Sequence, residues 1–290
     1  MELGPLGVWW SGSWRTTSTS ESAARSLEDL GYGTLWSSGG FRSGLAPHFE
    51  RLLAASREAV VASGIVSIWK ATPEELAHST GKLEERYRGR FLLGLGASHA
   101  PLAEDYARPY QRMVDYLDAL DRLDGPVHAD RRVLAALGPR MLELSASRAI
   151  GAHPYFVPVE HTHRARQILG PGPLLAPEVT AVIEPDPAAA RSRARSFTRT
   201  YLSLPNYANN LLALGFADDD LADGGSDRLV DAVVAHGDVE AVAARIREHQ
   251  EAGADHVAVQ LLTHEDGFPL DDYRALAAAI GTSMTSSKPQ

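Results

Sequence analysis

The sequence predicts an α/β protein, and within that class a closed (β/α)8 TIM barrel. Three observations carry the prediction. Short β-branched or aromatic runs alternate with amphipathic helical runs about eight times. The chain has 290 residues, enough for one such barrel. No linker or low-complexity stretch divides it, so residues 1–280 read as one domain and 281–290 as a flexible tail.

The expected strands are Leu6–Trp9, Thr34–Trp36, Gly64–Trp69, Phe91–Leu95, Val133–Ala136, Ala152–Val157, Val179–Ile183 and His256–Leu261. Several helix ends are marked. Ser18-x-x-Glu21 has the spacing of a capping box, and Gly31 can end the helix that follows. Thr72-x-x-Glu75 repeats the box with Pro73 at the first helical position. Asp238 opens a helix that Gly253 closes before the last strand. From Arg199 to Val234 the rhythm breaks, with Leu204-Pro205-Asn206, Asp218-Asp219-Asp220 and Gly224-Gly225. This stretch reads as a helical insertion before the last strand, overhanging the C-terminal mouth of the barrel.

Composition excludes several functions. Cysteine is absent, which removes disulfides, thiolate metal sites and a cysteine nucleophile. The net charge is −9, which argues against a broad nucleic-acid surface. The basic residues are almost all Arg, with only Lys70, Lys82 and Lys288, as a GC-rich genome would produce. No apolar run nears the roughly 18 residues of a membrane span. The N-terminal MELGPLGVWW lacks the basic segment and long apolar core of a secretory signal, so a cytoplasmic location is expected.

In a barrel the site lies at the C-terminal strand ends. These ends carry Trp9-Trp10-Ser11-Gly12, Trp36-Ser37-Ser38, Ser67-Ile68-Trp69, Gly96-Ala97-Ser98-His99, Leu137-Gly138-Pro139-Arg140 and His153-Pro154-Tyr155. The rim is aromatic, small and polar, with few carboxylates. It suits a flat conjugated ligand better than a sugar that needs paired acids. Trp9, Trp36 and Trp69 read either as ordinary strand aromatics or as part of that rim. Gly64 reads either as a tolerated glycine or as a bulge at a ligand. Leu137-Gly138-Pro139-Arg140 reads either as a plain turn or as an anion site at a helix start. Gly94-Leu95-Gly96 starts like a dinucleotide fingerprint, but His99 stands where the third glycine belongs. His161-Thr162-His163 offers no clear third metal ligand and reads as a solvated helix face.

Taken in order, a set of segments resembles a known family. They are Phe91–Pro101, Arg108-Pro109-Tyr110, Tyr116–Leu120, Val133–Met141, Gly151–Tyr155, Ile168–Pro173, Leu204-Pro205-Asn206-Tyr207 with Asn209-Asn210-Leu211, Gly224–Asp231 and Ala252–His256. Together they are similar to the luciferase-like monooxygenase superfamily, and more narrowly to its actinobacterial subgroup of F420-dependent oxidoreductases. The resemblance implies a barrel of that type, binding the deazaflavin F420 or, alternatively, FMN at its mouth. It implies a small-molecule substrate, a homodimer and a flavin or F420 reductase as partner. A bulge, often with a non-prolyl cis peptide, would back the ring at Gly64-Ile65. Gly96, Ser98 and His99 would contact the ring or its side chain. Leu137, Gly138 and Arg140 would hold phosphate. Trp36, Ser37, Ser38 and Ser67 would border the ring, with Ser37 and His99 as the catalytic candidates and no metal. The chain also departs from the pattern. Several deazaflavin enzymes carry His or Asp where this chain has Ser37-Ser38, so the proton donor is sought at His99, His48, His153 or the substrate. Little chain lies between Asp121 and Arg132, where a lid is usual. A non-catalytic cofactor-binding barrel is the remaining alternative.

Overall fold

The computed structural model describes residues 1–10, 17–38, 46–102, 106–125, 127–263 and 267–281. The proposed tail beyond Gly281, and Ser11, Gly12 of the rim, lie outside them. Strands and helices alternate in the expected order. The first half runs β1 (Leu6–Trp10), α1 (Thr17–Asp29), β2 (Thr34–Ser37), α2 (Ala46–Ala55), β3 (Val60–Ser63), β4 (Val66–Ser67), α3 (Pro73–Arg86) and β5 (Phe91–Gly96). It continues through α4 (Pro109–Asp121), β6 (Arg132–Leu134), α5 (Pro139–Arg148), β7 (Gly151–Ala152), α6 (Val159–Leu169), β8 (Leu174–Leu175) and β9 (Glu178–Ile183). Last come α7 (Pro187–Leu202), α8 (Pro205–Ala213), α9 (Asp218–Leu221), α10 (Asp227–Val233), β10 (Val234–Gly237), α11 (Val239–Glu251), β11 (Val257–Leu261) and α12 (Leu270–Ile280).

All strand pairs are parallel. The sheet curls in the order β11-β1-β2-β3-β5-β6-β7-β8, with β4 beside β5. β8 and β9 are two halves of one stave, broken at Ala176-Pro177. Ala176 N–H donates to Ala152 O at 2.9 Å, and Glu178 N–H to Pro154 O at 2.8 Å, tying this stave to β7. Its other edge pairs with β11, with Glu178 opposite Ala258. The barrel is thereby closed. Its outer core is built where strand residues such as Val8, Leu35 and Val61 meet helix residues such as Leu27, Leu52 and Tyr273.

Three expectations about elements are corrected. The third strand is Val60–Ser63 followed by Val66–Ser67, not Gly64–Trp69. Ala59–Trp69 is one nearly continuous apolar run, and no periodicity marks where pairing begins. The sixth strand is only Gly151–Ala152, not Ala152–Val157. Pro154 has no N–H to give, and Phe156 turns away with φ 57°. Helix α1 begins at Thr17, one residue before the Ser18 expected to open it. Other ends form as read. Gly31 closes α1 with φ 92°. Thr72 and Glu75 form a reciprocal capping box, with bonds of 3.2 and 2.8 Å. Asp238 caps α11 through Ala241 N–H at 2.9 Å.

The insertion is helical as expected, in α8, α9 and α10, and then adds the short strand β10 alongside β9. It has its own core of Phe156, Leu204, Tyr207, Leu211, Leu229 and Val230. Between α4 and β6 the chain is short and clipped. Buried Arg132 donates to Asp121 at 2.6 Å and to Val127 O at 3.1 Å.

Candidate active site

The inside of the barrel is unusually polar. Gly7 leaves the room that makes this possible, since a Cβ there would stand 2.7 Å from His256 Nε2. A carbonyl can only accept, so His256 Nδ1 carries the proton it gives to Gly4 O at 2.7 Å. Its bare Nε2 then accepts from Trp36 Nε1–H at 2.9 Å. Trp36 lies flat on His153, with centroids 4.0 Å apart and planes at 8°. His153 Nδ1 donates to Ala176 O at 2.6 Å. Burial lowers both histidines from 6.5 to about 4, so both are neutral at pH 7.

Above this layer the third stave breaks. The Gly64-Ile65 peptide is cis, between β3 and β4. The neighbouring strand is shaped to receive it. A Cβ on Gly94 would stand 1.9 Å from Ser63 O, and one on Gly96 would stand 2.6 Å from Ile65 Cδ1. Gly94-Leu95-Gly96 is thus a packing requirement of the break, not the start of a dinucleotide turn. Ser63 Oγ fastens the two strands, donating to Gly94 O at 3.1 Å and accepting from Gly94 N–H at 2.8 Å.

The break borders a cavity of about 640 Å³ at the C-terminal end of the barrel. Such a volume suits a cofactor-sized ligand. Ser38, Gly64, Ile65, Gly96, Ser98, His99, Leu137, Gly138 and Arg140 all line it. Trp36, Ser37 and Ser67 do not. Trp36 is fully buried inside the barrel, Ser37 Oγ bonds His48 Nε2 at 2.9 Å, and Ser67 sits under the Trp69 turn.

Each part of the lining is held from behind. Trp69 Nε1–H donates to Ala97 O at 2.6 Å. Asn206 Nδ2–H donates to Ser98 O at 3.1 Å, where Ser98 adopts φ 58°. His99 packs on Tyr207 at 4.8 Å, and burial lowers its pKa, so its imidazole is neutral at pH 7. Leu137 O accepts from His161 Nε2–H at 2.9 Å. His161 is therefore a buried structural donor, 1% exposed, and not part of a solvated helix face. Gly138 and Pro139 then open α5; Pro139 has no N–H, and Met141 and Leu142 N–H both donate to Gly138 O at 3.1 Å, which leaves Arg140 N–H as the donor of its first turn. Arg140 stacks on Tyr110 at 3.9 Å and has no carboxylate partner among the described residues.

One wall of the cavity is lined by Tyr155, expected at the rim, and by Tyr201 at the end of α7 and Asn206, Tyr207 and Asn209 of α8, to which the sequence pattern assigns no role. The motif Leu204-Pro205-Asn206-Tyr207 was the available signal, but nothing in it tells which strand end it faces. Tyr155 and Tyr201 hydroxyls are 2.9 Å apart, and Tyr155 donates to Gln260 at 3.3 Å. Behind them Glu178 is fully buried, and burial raises its carboxyl from 4.5 to about 8.

A flavin-type group fits these residues. Trp9 Nε1, His99 Nδ1 and His153 Nε2 are buried without a partner among the described residues, as sites awaiting a polar ligand are. The glycine cradle, the break and the anion-ready turn surround one slot. No cluster of three or more metal-ligating side chains exists among the described residues. No helix among them is long and apolar enough to cross a membrane.

Among solved structures, an F420-dependent secondary alcohol dehydrogenase in complex with an F420–acetone adduct superposes with TM-score 0.75 at 14% identity, over 96% of this chain and 99% of that one. The F420-dependent tetrahydromethanopterin reductase from Methanopyrus kandleri gives 0.69 at 14%, over 96% and 98%. The FMN-bound oxygenating constituent of 3,6-diketocamphane monooxygenase from Pseudomonas putida gives 0.68 at 16%, over 96% and 97%. At such identities the likeness establishes the shared fold. A search of curated proteins returned no significant match. The model of the luciferase-like monooxygenases matches residues 16–256, most of the chain. The protein is a member of the luciferase-like monooxygenase family.

Proposed function

We propose that the protein is an oxidoreductase that transfers a hydride between F420 and a small organic substrate at the mouth of the barrel. The observation that carries this reading is the single slot bounded by the Gly64-Ile65 break and the Leu137–Arg140 turn. When bound, the deazaflavin supplies a ring carbon that accepts or gives a hydride. The chain supplies the rest. Gly64, Ile65 and Gly96 back the ring. Arg140 and the first turn of α5 hold the phosphate of the tail. Ser38 and Ser98 offer hydroxyls at the ring's border. His99, neutral at pH 7, takes or returns the substrate proton at a ring nitrogen. Ser37 and His48 are hydrogen-bonded to each other at 2.9 Å, away from the slot.

F420 is favoured over FMN by the resemblance of the ordered motifs to the F420 subgroup. The short, clipped connection from Asp121 to Arg132 supports the same choice, since hydride transfer needs no lid against oxygen. The test is anaerobic turnover of F420 with a panel of alcohols and ketones, beside oxygen uptake with reduced FMN. Hydride exchange with F420 and no oxygen uptake supports the proposal. Oxygen uptake with FMN and no exchange with F420 replaces it by an FMN-dependent monooxygenase.

A further inference from the structure

An aromatic wall, drawn from three strand ends, the end of α7 and α8, stands along one side of the cavity. Trp9 meets Tyr155 at 5.1 Å, Tyr155 meets Tyr201 at 5.1 Å, Tyr201 meets Tyr207 at 5.4 Å, and Tyr207 meets His99 at 4.8 Å. Phenylalanines of α7 and of the turn after β7 stand behind it. Tyr201 packs on Phe197 at 4.5 Å and stacks on Phe156 at 5.3 Å. Asn206 pins the wall to the loop that carries His99, through Ser98 O at 3.1 Å.

We propose that this wall is the substrate site, and that it takes an uncharged, ring-bearing organic compound with a hydroxyl group while rejecting carboxylates of the same size. The proposal rests on the oxidoreductase reading for the cofactor beside it. Three features support the choice of substrate. The five aromatic groups offer flat faces that stack on a ring. Tyr155 gives its one proton to Gln260 and Tyr201 gives its own to Tyr155, so Tyr201 Oη keeps a lone pair that accepts from a ligand hydroxyl. Among the described lining residues the only formal charge is Arg140, stacked on Tyr110 and belonging to the α5 turn, not to the wall. A carboxylate against the wall would lose its hydration without a counter-charge. Glu178, close enough to influence Tyr155, Tyr201 and Tyr207, adds no positive charge there.

The experiment is calorimetric titration of the cofactor-saturated protein with four probes: acetophenone, 1-phenylethanol, ethylbenzene and benzoate. The same titrations are run on cofactor-free Arg140→Gln protein, so that a carboxylate caught at the anion turn is not counted. 1-Phenylethanol is expected to bind at least about tenfold more tightly than benzoate in both settings, and more tightly than acetophenone or ethylbenzene. Tyr207→Ala should weaken the neutral probes about tenfold through lost ring contact. Tyr201→Phe should weaken 1-phenylethanol and leave acetophenone and ethylbenzene unchanged, a pattern that general loosening of the fold would not produce. Benzoate binding as tightly as 1-phenylethanol overturns the proposal, as does unaltered binding in Tyr207→Ala. Because the Arg140→Gln arm needs no cofactor, its result stands even if neither F420 nor FMN binds, and the two readings fail separately.

Discussion

Glu178→Gln should stabilise this protein, and by more as the pH rises. Glu178 is fully buried at the start of β9, held by Thr180 Oγ1 at 2.5 Å and by Phe156 N–H at 3.3 Å. Its folded pKa is raised to about 8 from an ordinary 4.5. The folded chain therefore keeps this proton through a window in which the unfolded chain has lost it. Unfolding releases the proton, and stability falls from about pH 4.5 upward until the folded group ionises near pH 8. At about 1.4 kcal/mol per pH unit, the loss is roughly 3 kcal/mol at pH 7 and roughly 5 at pH 8. Glutamine has the same shape and carries no proton to lose. Its amide N–H can donate to Thr180 Oγ1 while its oxygen accepts from Phe156. Thermal melts of both proteins from pH 5 to pH 8.5 check this. The melting temperatures should nearly coincide at pH 5 and separate by roughly 6 to 10 °C at pH 7. A constant difference across pH, or a mutant less stable at pH 8, would refute the reasoning.

Other expected outcomes concern the site and its frame. Arg140→Ala should weaken cofactor binding by roughly 1.5–3 kcal/mol if its guanidinium meets phosphate, and unchanged affinity in the folded mutant removes Arg140 from the site. His99→Ala should abolish most turnover while melting like the parent, because His99 is only partly buried and its Nδ1 supports no neighbour among the described residues. If that mutant instead loses its fold, the residue is structural. Gly94→Ala places a Cβ 1.9 Å from Ser63 O, a backbone atom that cannot swing aside. It should cost at least about 3 kcal/mol by denaturant unfolding, and a near-neutral result would mean the Gly64-Ile65 break is not packed as described.

The alternation of strands and helices was readable because each stave feeds a helix with an apolar face, and both periods survive in one sequence. Phe91–Gly96 and Val257–Leu261 stand within a residue of their expected positions. Val60–Ser63 was missed because buried parallel strands have no alternation to mark their ends. The Gly64-Ile65 break was anticipated from the family resemblance, and Gly94 and Gly96 are its imprint on the adjacent strand. The polar interior was not readable. Period two tells that successive residues face opposite ways, but not which way His153, Glu178 or His256 turns. His161 shows the same limit on a helix, where one face is solvent and the next is the Leu137 turn. Tyr201 and Tyr207 were out of reach for another reason. They come from an insertion, and their partners Tyr155 and His99 are set by tertiary packing far away in sequence.

The proposed deazaflavin site is the slot between Gly64-Ile65 and Arg140. Fluorescence titration of the purified protein with F420, and with FMN in parallel, tests it most directly. The account predicts saturable F420 binding at micromolar concentration or tighter, with much weaker FMN binding, and loss of the F420 signal in Arg140→Ala. Tighter binding of FMN would overturn the choice of cofactor, and binding of neither would contradict the assignment of the site.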